Sequence, residues 1–86
     1  MQVDFNARFV RQYNKLPYKI QQQFDDRLIL FIENPTAPLL RIHPLKGRMD
    51  GYWSMNVSGH MRPIYTYRAD TIVLFMLIGT HSQLYG

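Results

Sequence analysis

Three histidines are the residues of this 86-residue chain best matched to chemistry, and each falls at an edge of regular structure. His43 sits in a loop, Ile42-His43-Pro44-Leu45-Lys46-Gly47. His60 belongs to a short turn, Ser58-Gly59-His60, and His81 follows an apolar run in Gly79-Thr80-His81. Imidazole is the side chain best suited to proton transfer near neutral pH. Two imidazoles beside one phosphodiester suffice to cleave RNA: one takes the proton from the 2′-OH and the other protonates the departing 5′-oxygen. No metal or other cofactor is required. Taken one at a time, each is also what a loop histidine usually is, a solvated polar residue, and spacing alone does not bring them together. A histidine metal site is the other chemical option. It ranks low, because no His-x-His or His-x-x-x-His pair exists and the separations of 17 and 21 residues match no ligand pattern.

Basic and aromatic residues accompany the histidines. Arg62 comes just after the Ser58–His60 turn, before Pro63-Ile64-Tyr65, where its fork of donors could hold a phosphate and offset the charge of a pentacoordinate transition state. Lys46, Arg48 and Arg41 cluster with His43 in one segment, a basic patch suited to phosphates or simply a solvated loop. Tyr52 and Asn56 alternate with Trp53, Met55 and Val57, so the latter three read as core and the former two as candidates to line a cleft. Tyr85, next to the C-terminal residue, could stack on a base or anchor the surface. No glycine-rich nucleotide loop is present; Gly47 and Gly51 read as turn residues.

Composition limits what can carry these groups. There is no cysteine, which excludes a disulfide framework and a thiolate zinc site. The length suits one domain, residues 1–86, and a chain this short buries only about 60–65% of its unfolded surface. Apolar content of 47% with 14% aromatics is ample for a core and excludes a disordered chain. Ten Lys+Arg against six Asp+Glu give a formal charge of +4, which favours an anionic partner. The longest apolar stretch, Ile72 to Ile78, is seven residues, against about 20 for a membrane span. The N-terminus lacks a basic segment followed by an apolar one, so a cytoplasmic location is expected.

The elements that must position the candidates follow from pattern. Gln2 to Phe5 reads as a short strand, and Asn6 as the N-cap of a helix from Ala7 to about Lys15. Leu16-Pro17 interrupts it, and a second helix runs from about Pro17 to Glu33. Its apolar face is Ile20, Phe24, Leu28, Phe31 and Ile32, and Asn34-Pro35 stops it. Residues 34–50 look irregular, with Pro35, Pro38 and Pro44. Three strands follow, Gly51–Ser58, Met61–Arg68 and Thr71–Ile78, with Ser82–Tyr85 as a last helical turn. The class is α+β: a short N-terminal strand, then two helices packed on one face of an antiparallel meander, leaving the other face to form a shallow cleft.

At this point the pattern resembles a known family. His43-Pro44-Leu45-Lys46-Gly47, Gly51-Tyr52-Trp53-Ser54-Met55-Asn56-Val57, Arg62-Pro63-Ile64-Tyr65 and Gly79-Thr80-His81-Ser82-Gln83-Leu84-Tyr85-Gly86, with Leu16-Pro17 and Asn34-Pro35 before them, are similar to the RelE/ParE superfamily of bacterial type II toxins. The specific likeness is to its YafQ-like branch of RelE/StbE-type mRNA interferases. Each motif alone is weak; together, in order, they cover almost the whole chain.

The resemblance implies a RelE-like microbial RNase fold and a toxin that enters the ribosomal A site and cleaves mRNA there. The products would be a 2′,3′-cyclic or 3′-phosphate and a 5′-OH. It implies catalytic roles for His43 and His81, a phosphate contact for Arg62, and a substrate contact for Tyr85. Lys46, Arg48 and Asn56 join Tyr85 as expected RNA-binding residues, and His60 joins the catalytic set. His60 stands where this branch commonly has an acidic residue, and Asn56 where some relatives carry a further histidine. A cognate antitoxin is implied as partner, with operator DNA bound by the complex. The competing expectations are a ParE-like DNA gyrase poison, which needs no acid–base pair, and an inactive member kept for antitoxin binding.

Overall fold

A computed structural model describes residues 1–85, and of Tyr85 the backbone alone. The elements in order are β1 (Gln2–Phe5), α1 (Ala7–Asn14), α2 (Tyr18–Glu33), β2 (His43–Pro44), β3 (Trp53–Ser54), β4 (Met61–Ala69), β5 (Ile72–Thr80) and α3 (His81–Tyr85). Short 3-10 turns at Pro38–Leu40 and Gly47–Met49 lie either side of β2. The strands form one five-stranded sheet in the order β1-β5-β4-β3-β2.

Local chemistry sets the helix boundaries. The Asn6 side chain accepts a hydrogen bond from the Phe9 N–H (2.8 Å), so it caps α1 as its type predicts. Pro17 lies just outside α2, and its carbonyl accepts the N–H groups of Ile20 and Gln21. Phe24 and Phe31 on α2 are buried, whereas Ile32, expected on the same face, is exposed.

The meander of β2 to β5 is antiparallel throughout, as expected, and the sheet as a whole is mixed. β4 and β5 pair antiparallel, but β1 lies parallel on the far side of β5, with Val3 opposite Val73 and Phe5 opposite Phe75. A parallel partner requires a long connection, and the α1–α2 pair lies within it. The ring of Phe75 meets those of Phe5, Phe9, Phe24, Phe31 and Tyr65 at centroid distances of 5.4–6.1 Å. Removing a buried ring of this kind costs about 3–5 kcal/mol, a large share of the roughly 5–15 kcal/mol that holds a domain together.

Two stretches differ from the pattern-based expectation. The predicted strand Gly51–Ser58 is a ladder only at Trp53–Ser54. Beyond it, Met55 and Val57 still donate to the Pro63 and Met61 carbonyls, but the Asn56 N–H turns to the Leu40 carbonyl (2.8 Å). The 38–40 turn thus pulls the strand out of regular alternation, and Ser54 and Met55 are both buried. The second difference is β2, formed within the supposedly irregular 34–50 segment by pairing His43 with Ser54 and Pro44 with Trp53. An edge strand tolerates a proline because its outer side needs no donor.

Two phenols in this core stay protonated well above the usual range. Burial, and then the Asp25 carboxylate that accepts the Tyr13 O–H (2.8 Å), pushes Tyr13 from 10.0 to about 12. Burial, with Tyr67 beside it, raises Tyr65 as well. The unfolded chain gives up these protons near pH 10.0 while the folded chain keeps them. The contribution of Tyr13 to stability is therefore complete below pH 10.0 and is lost as pH rises through about 12. Melting curves collected against pH should decline over that window, and Tyr13→Phe should make the decline shallower. An alkaline limb unchanged by Tyr13→Phe would show that Tyr13 does not carry it.

Candidate active site

The register fixes which side chains share the sheet face away from α1 and α2. Directly paired residues point to the same face, and so do residues two apart along a strand. His43 pairs with Ser54, Ser54 with Ile64 and Ile64 with Leu77, and Arg62 pairs with Gly79. Phe75 and Tyr65 pair across a register shift that follows Ile64, and their rings meet those of the helices. The row His43–Ser54–Ile64, with Arg62 two residues from Ile64, therefore belongs to the opposite face. Within it Ser54 and Ile64 are fully buried.

A cleft of about 410 Å³ opens at this face, lined by His43, Leu45, Lys46, Met49, Arg62 and His81. Its polar groups come from separate segments: His43 from β2, Lys46 from the turn after it, Arg62 from the start of β4, and His81 from the start of α3. His43 and β5 are three strand intervals apart, roughly 14 Å at about 4.8 Å each, so the two histidines approach from opposite sides. A volume between about 300 and 1,000 Å³ is the range of small-molecule sites, and the cleft falls within it.

His43 is oriented by its own chain. Its Nδ1 lies 3.2 Å from the Arg41 carbonyl oxygen. A carbonyl only accepts, so in the neutral ring the contact places the proton on Nδ1 and leaves the lone pair on Nε2. Among the described residues, Arg41 is the one non-glycine with positive φ (47°). That left-handed turn, which costs an L-residue roughly 1–2 kcal/mol, ends the 38–40 turn and leads the chain into β2. On the other side, the Arg62 Nε–H is buried and has no acceptor among the described residues. A buried guanidinium donor without a partner is costly, and an anion in the cleft would relieve it.

The cleft gathers some of the sequence candidates and leaves others out. His43, His81, Arg62 and Lys46 line it. His60 is exposed in the β3–β4 turn and does not line it. The turn does meet the end of β4 that pairs with Thr80, since Met61 is opposite Thr80. Arg48 is exposed on the 47–49 turn, one residue from the lining Met49. Asn56 is carried away by the bond from its N–H to the Leu40 carbonyl, and its Oδ1 is buried without a partner among the described residues. The side chain of Tyr85 lies outside the described residues. Leu45 and Met49 are lining residues that sequence reasoning did not single out, and they give the cleft an apolar patch against which a base could pack. Only their closeness to Lys46 in sequence hinted at this.

A second groove of about 340 Å³ lies between α1 and α2, lined chiefly by Phe5, Phe9, Val10, Tyr13, Phe24 and Leu28. Its one carboxylate, Asp25, is engaged by Tyr13, so the means for proton transfer lie in the histidine cleft instead. Among the described residues, no group of three or more His, Cys, Asp or Glu is placed to hold a metal ion, and no helix is long and apolar enough to cross a membrane.

Solved structures share this architecture. YafQ from E. coli strain BL21(DE3) matches at a TM-score of 0.83 and 21% identity, covering 99% of this chain and 98% of that one. The chain has the RelE-like toxin fold. A YoeB/ParE toxin from Agrobacterium tumefaciens matches at 0.79 and 21% identity, covering 94% of this chain and 99% of the other. The E. coli DinJ–YafQ toxin–antitoxin complex matches at 0.81 and 21% identity over 99% of this chain and 97% of that one. No protein-family model and no curated protein matches the sequence.

Ser54 offers a check on the row that supports His43. Its Oγ is buried with no partner among the described residues, so Ser54→Ala should leave stability unchanged or raise it by about 1 kcal/mol. Thermal denaturation measures this, and a loss larger than about 1 kcal/mol would mean that the hydroxyl is engaged.

Proposed function

We propose that this chain is the toxin of a type II toxin–antitoxin pair, an endoribonuclease that cleaves mRNA in the ribosomal A site. The observation that supports it most is the cleft: two histidines, a lysine and an arginine with a buried unpartnered donor face one space although they come from separate segments. RelE-like folds among solved structures, YafQ and YoeB/ParE toxins included, support the toxin reading.

In this mechanism the 2′-oxygen attacks the adjacent phosphorus, the P–O5′ bond breaks, and the products are a 2′,3′-cyclic phosphate and a 5′-OH. The 2′-OH proton goes to one imidazole and the leaving 5′-oxygen takes a proton from the other. With Nδ1 bound to the Arg41 carbonyl, His43 offers Nε2 as the base, which assigns the acid to His81. Arg62 holds the non-bridging oxygens, where charge accumulates in the transition state, and Lys46 adds a second positive charge. Leu45 and Met49 pack against the base. The roles of Tyr85, Arg48 and Asn56 would be peripheral contacts to RNA, and that of His60 an outer contact near the Thr80 end of the ladder.

The partner is a cognate antitoxin, in keeping with the DinJ–YafQ complex among the matched structures, and a chain of charge +4 suits an acidic neutralising segment. The work would be done in the bacterial cytoplasm. If the antitoxin binds only the folded toxin, an excess of about 100 Kd should add about 2.7 kcal/mol to stability. Saturating antitoxin that leaves the melting temperature unmoved would contradict this.

Primer-extension mapping on translated and untranslated copies of one mRNA tests the activity. Cuts confined to the translated copy are expected. His43→Ala and His81→Ala should each lower the cleavage rate by about 10²–10⁴-fold and abolish growth inhibition. Full toxicity in both variants would point instead to a gyrase poison, which has no use for an acid–base pair.

A further inference from the structure

His81 is the first residue of a helix only five residues long, directly after β5. A helix this short has almost no stability of its own in water. Left to itself it would fray, and the imidazole would move with it. The junction is instead tied in both directions. The Gln83 N–H donates to Thr80 Oγ1 (3.2 Å), and the Thr80 N–H donates to Gln83 Oε1 (2.8 Å). This reciprocal pair is a capping box, in which two backbone donors at a helix start are satisfied by side chains three residues apart. His81 lies inside the loop that the two bonds close.

Gly79 is part of the same arrangement. A Cβ placed on it would lie 3.0 Å from Gln83 Oε1 and 3.4 Å from both Gln83 Cβ and Leu84 Cδ2. Its φ is not in the left-handed region, so the glycine supplies space and not a special backbone conformation. The space it leaves is the one the folded-back Gln83 side chain occupies. Gly79 is also the register partner of Arg62, whose side chain lines the cleft.

We infer that Thr80 and Gln83 are positioning residues for His81, and that Gly79 is the gap that admits the Gln83 side chain. The inference rests on the assignment of His81 to proton transfer. Neither Thr80 nor Gln83 lines the cleft; the box fixes the backbone from which His81 reaches into it, together with His43 and Arg62. A proton donor must lie within hydrogen-bond reach of the leaving oxygen, and a misplacement of about 1 Å can cost about 100-fold in rate. The effect should therefore appear in the chemical step and not in RNA binding.

Single-turnover cleavage on mRNA-programmed ribosomes tests this. Gln83→Ala should lower the maximal rate by roughly 10- to 100-fold and leave the half-saturating toxin concentration within about twofold. Thr80→Ala should behave alike. Thr80→Ser and Gln83→Glu keep a capping box and should restore the rate to within about threefold. Gly79→Ala, by crowding Gln83, should reproduce the Gln83→Ala loss. In a His81→Ala background, Gln83→Ala should add no further loss. The inference is overturned if Gln83→Ala cleaves at the wild-type rate, if the loss appears only in the half-saturating concentration, or if it persists undiminished in the His81→Ala background.

Wild-type protein that cleaves no translated mRNA would defeat the nuclease reading by itself. Imidazole proton–nitrogen NMR spectra would then decide the positioning claim without catalysis. His81 signals displaced in Gln83→Ala and returned by Gln83→Glu support it, and His81 signals identical in all three proteins overturn it.

Discussion

The aromatic contact around Phe75 is the constraint on which the remainder of this small protein depends. One ring on β5 meets Phe5 of β1, Phe9 of α1, Phe24 and Phe31 of α2, and Tyr65 of β4. It joins the parallel edge strand, both long helices and the antiparallel partner at one point. The chain has no cysteine, and its described residues hold no metal-binding cluster, so core packing, centred on these rings, holds the fold together.

That core occupies one face of the sheet and releases the other. Because strand side chains alternate, placing Phe75 and Tyr65 toward the helices commits the His43–Ser54–Ile64 row and Arg62 to the opposite side. The register shift after Ile64 lets Tyr65 face Phe75 while Ile64 faces Leu77. The cleft is thus a consequence of how the core is built. Its charged groups then sit on the ends of strands and in turns, where they can meet an anion without being buried in the core.

Much of the fold was legible because it rests on local chemistry. Asn6 as a cap, Leu16-Pro17 as a break, the Phe24/Phe31 face of α2 and the apolar run of β5 each follow from residue type and period. What escaped is non-local. β2 is two residues long and contains Pro44, so no periodicity marks it; it exists because Trp53–Ser54 lies beside it. The parallel placement of β1 depends on Phe5 reaching Phe75, seventy residues away in sequence. The strand that should have carried Asn56 to the cleft was bent aside by a bond to Leu40, whose position depends on the 38–40 turn. The Thr80-x-x-Gln83 pattern at α3 was a sequence signal of a capping box that a search for catalytic side chains passes over.

The sequence by itself determined the kinds of chemistry available: imidazole and guanidinium without thiol, on a basic chain too short to waste core. It also determined the α+β class, since helix and strand periods are written in neighbouring residues. Only the tertiary structure decided which candidates share a space. His43, Lys46, Arg62 and His81 meet because β2, β4 and the end of β5 are brought to one sheet face, while His60, with the same side chain, is left in an exposed turn. The physical reason is that groups up to thirty-eight residues apart in sequence can face one bound molecule only where strand pairing and ring packing bring their segments to one cleft.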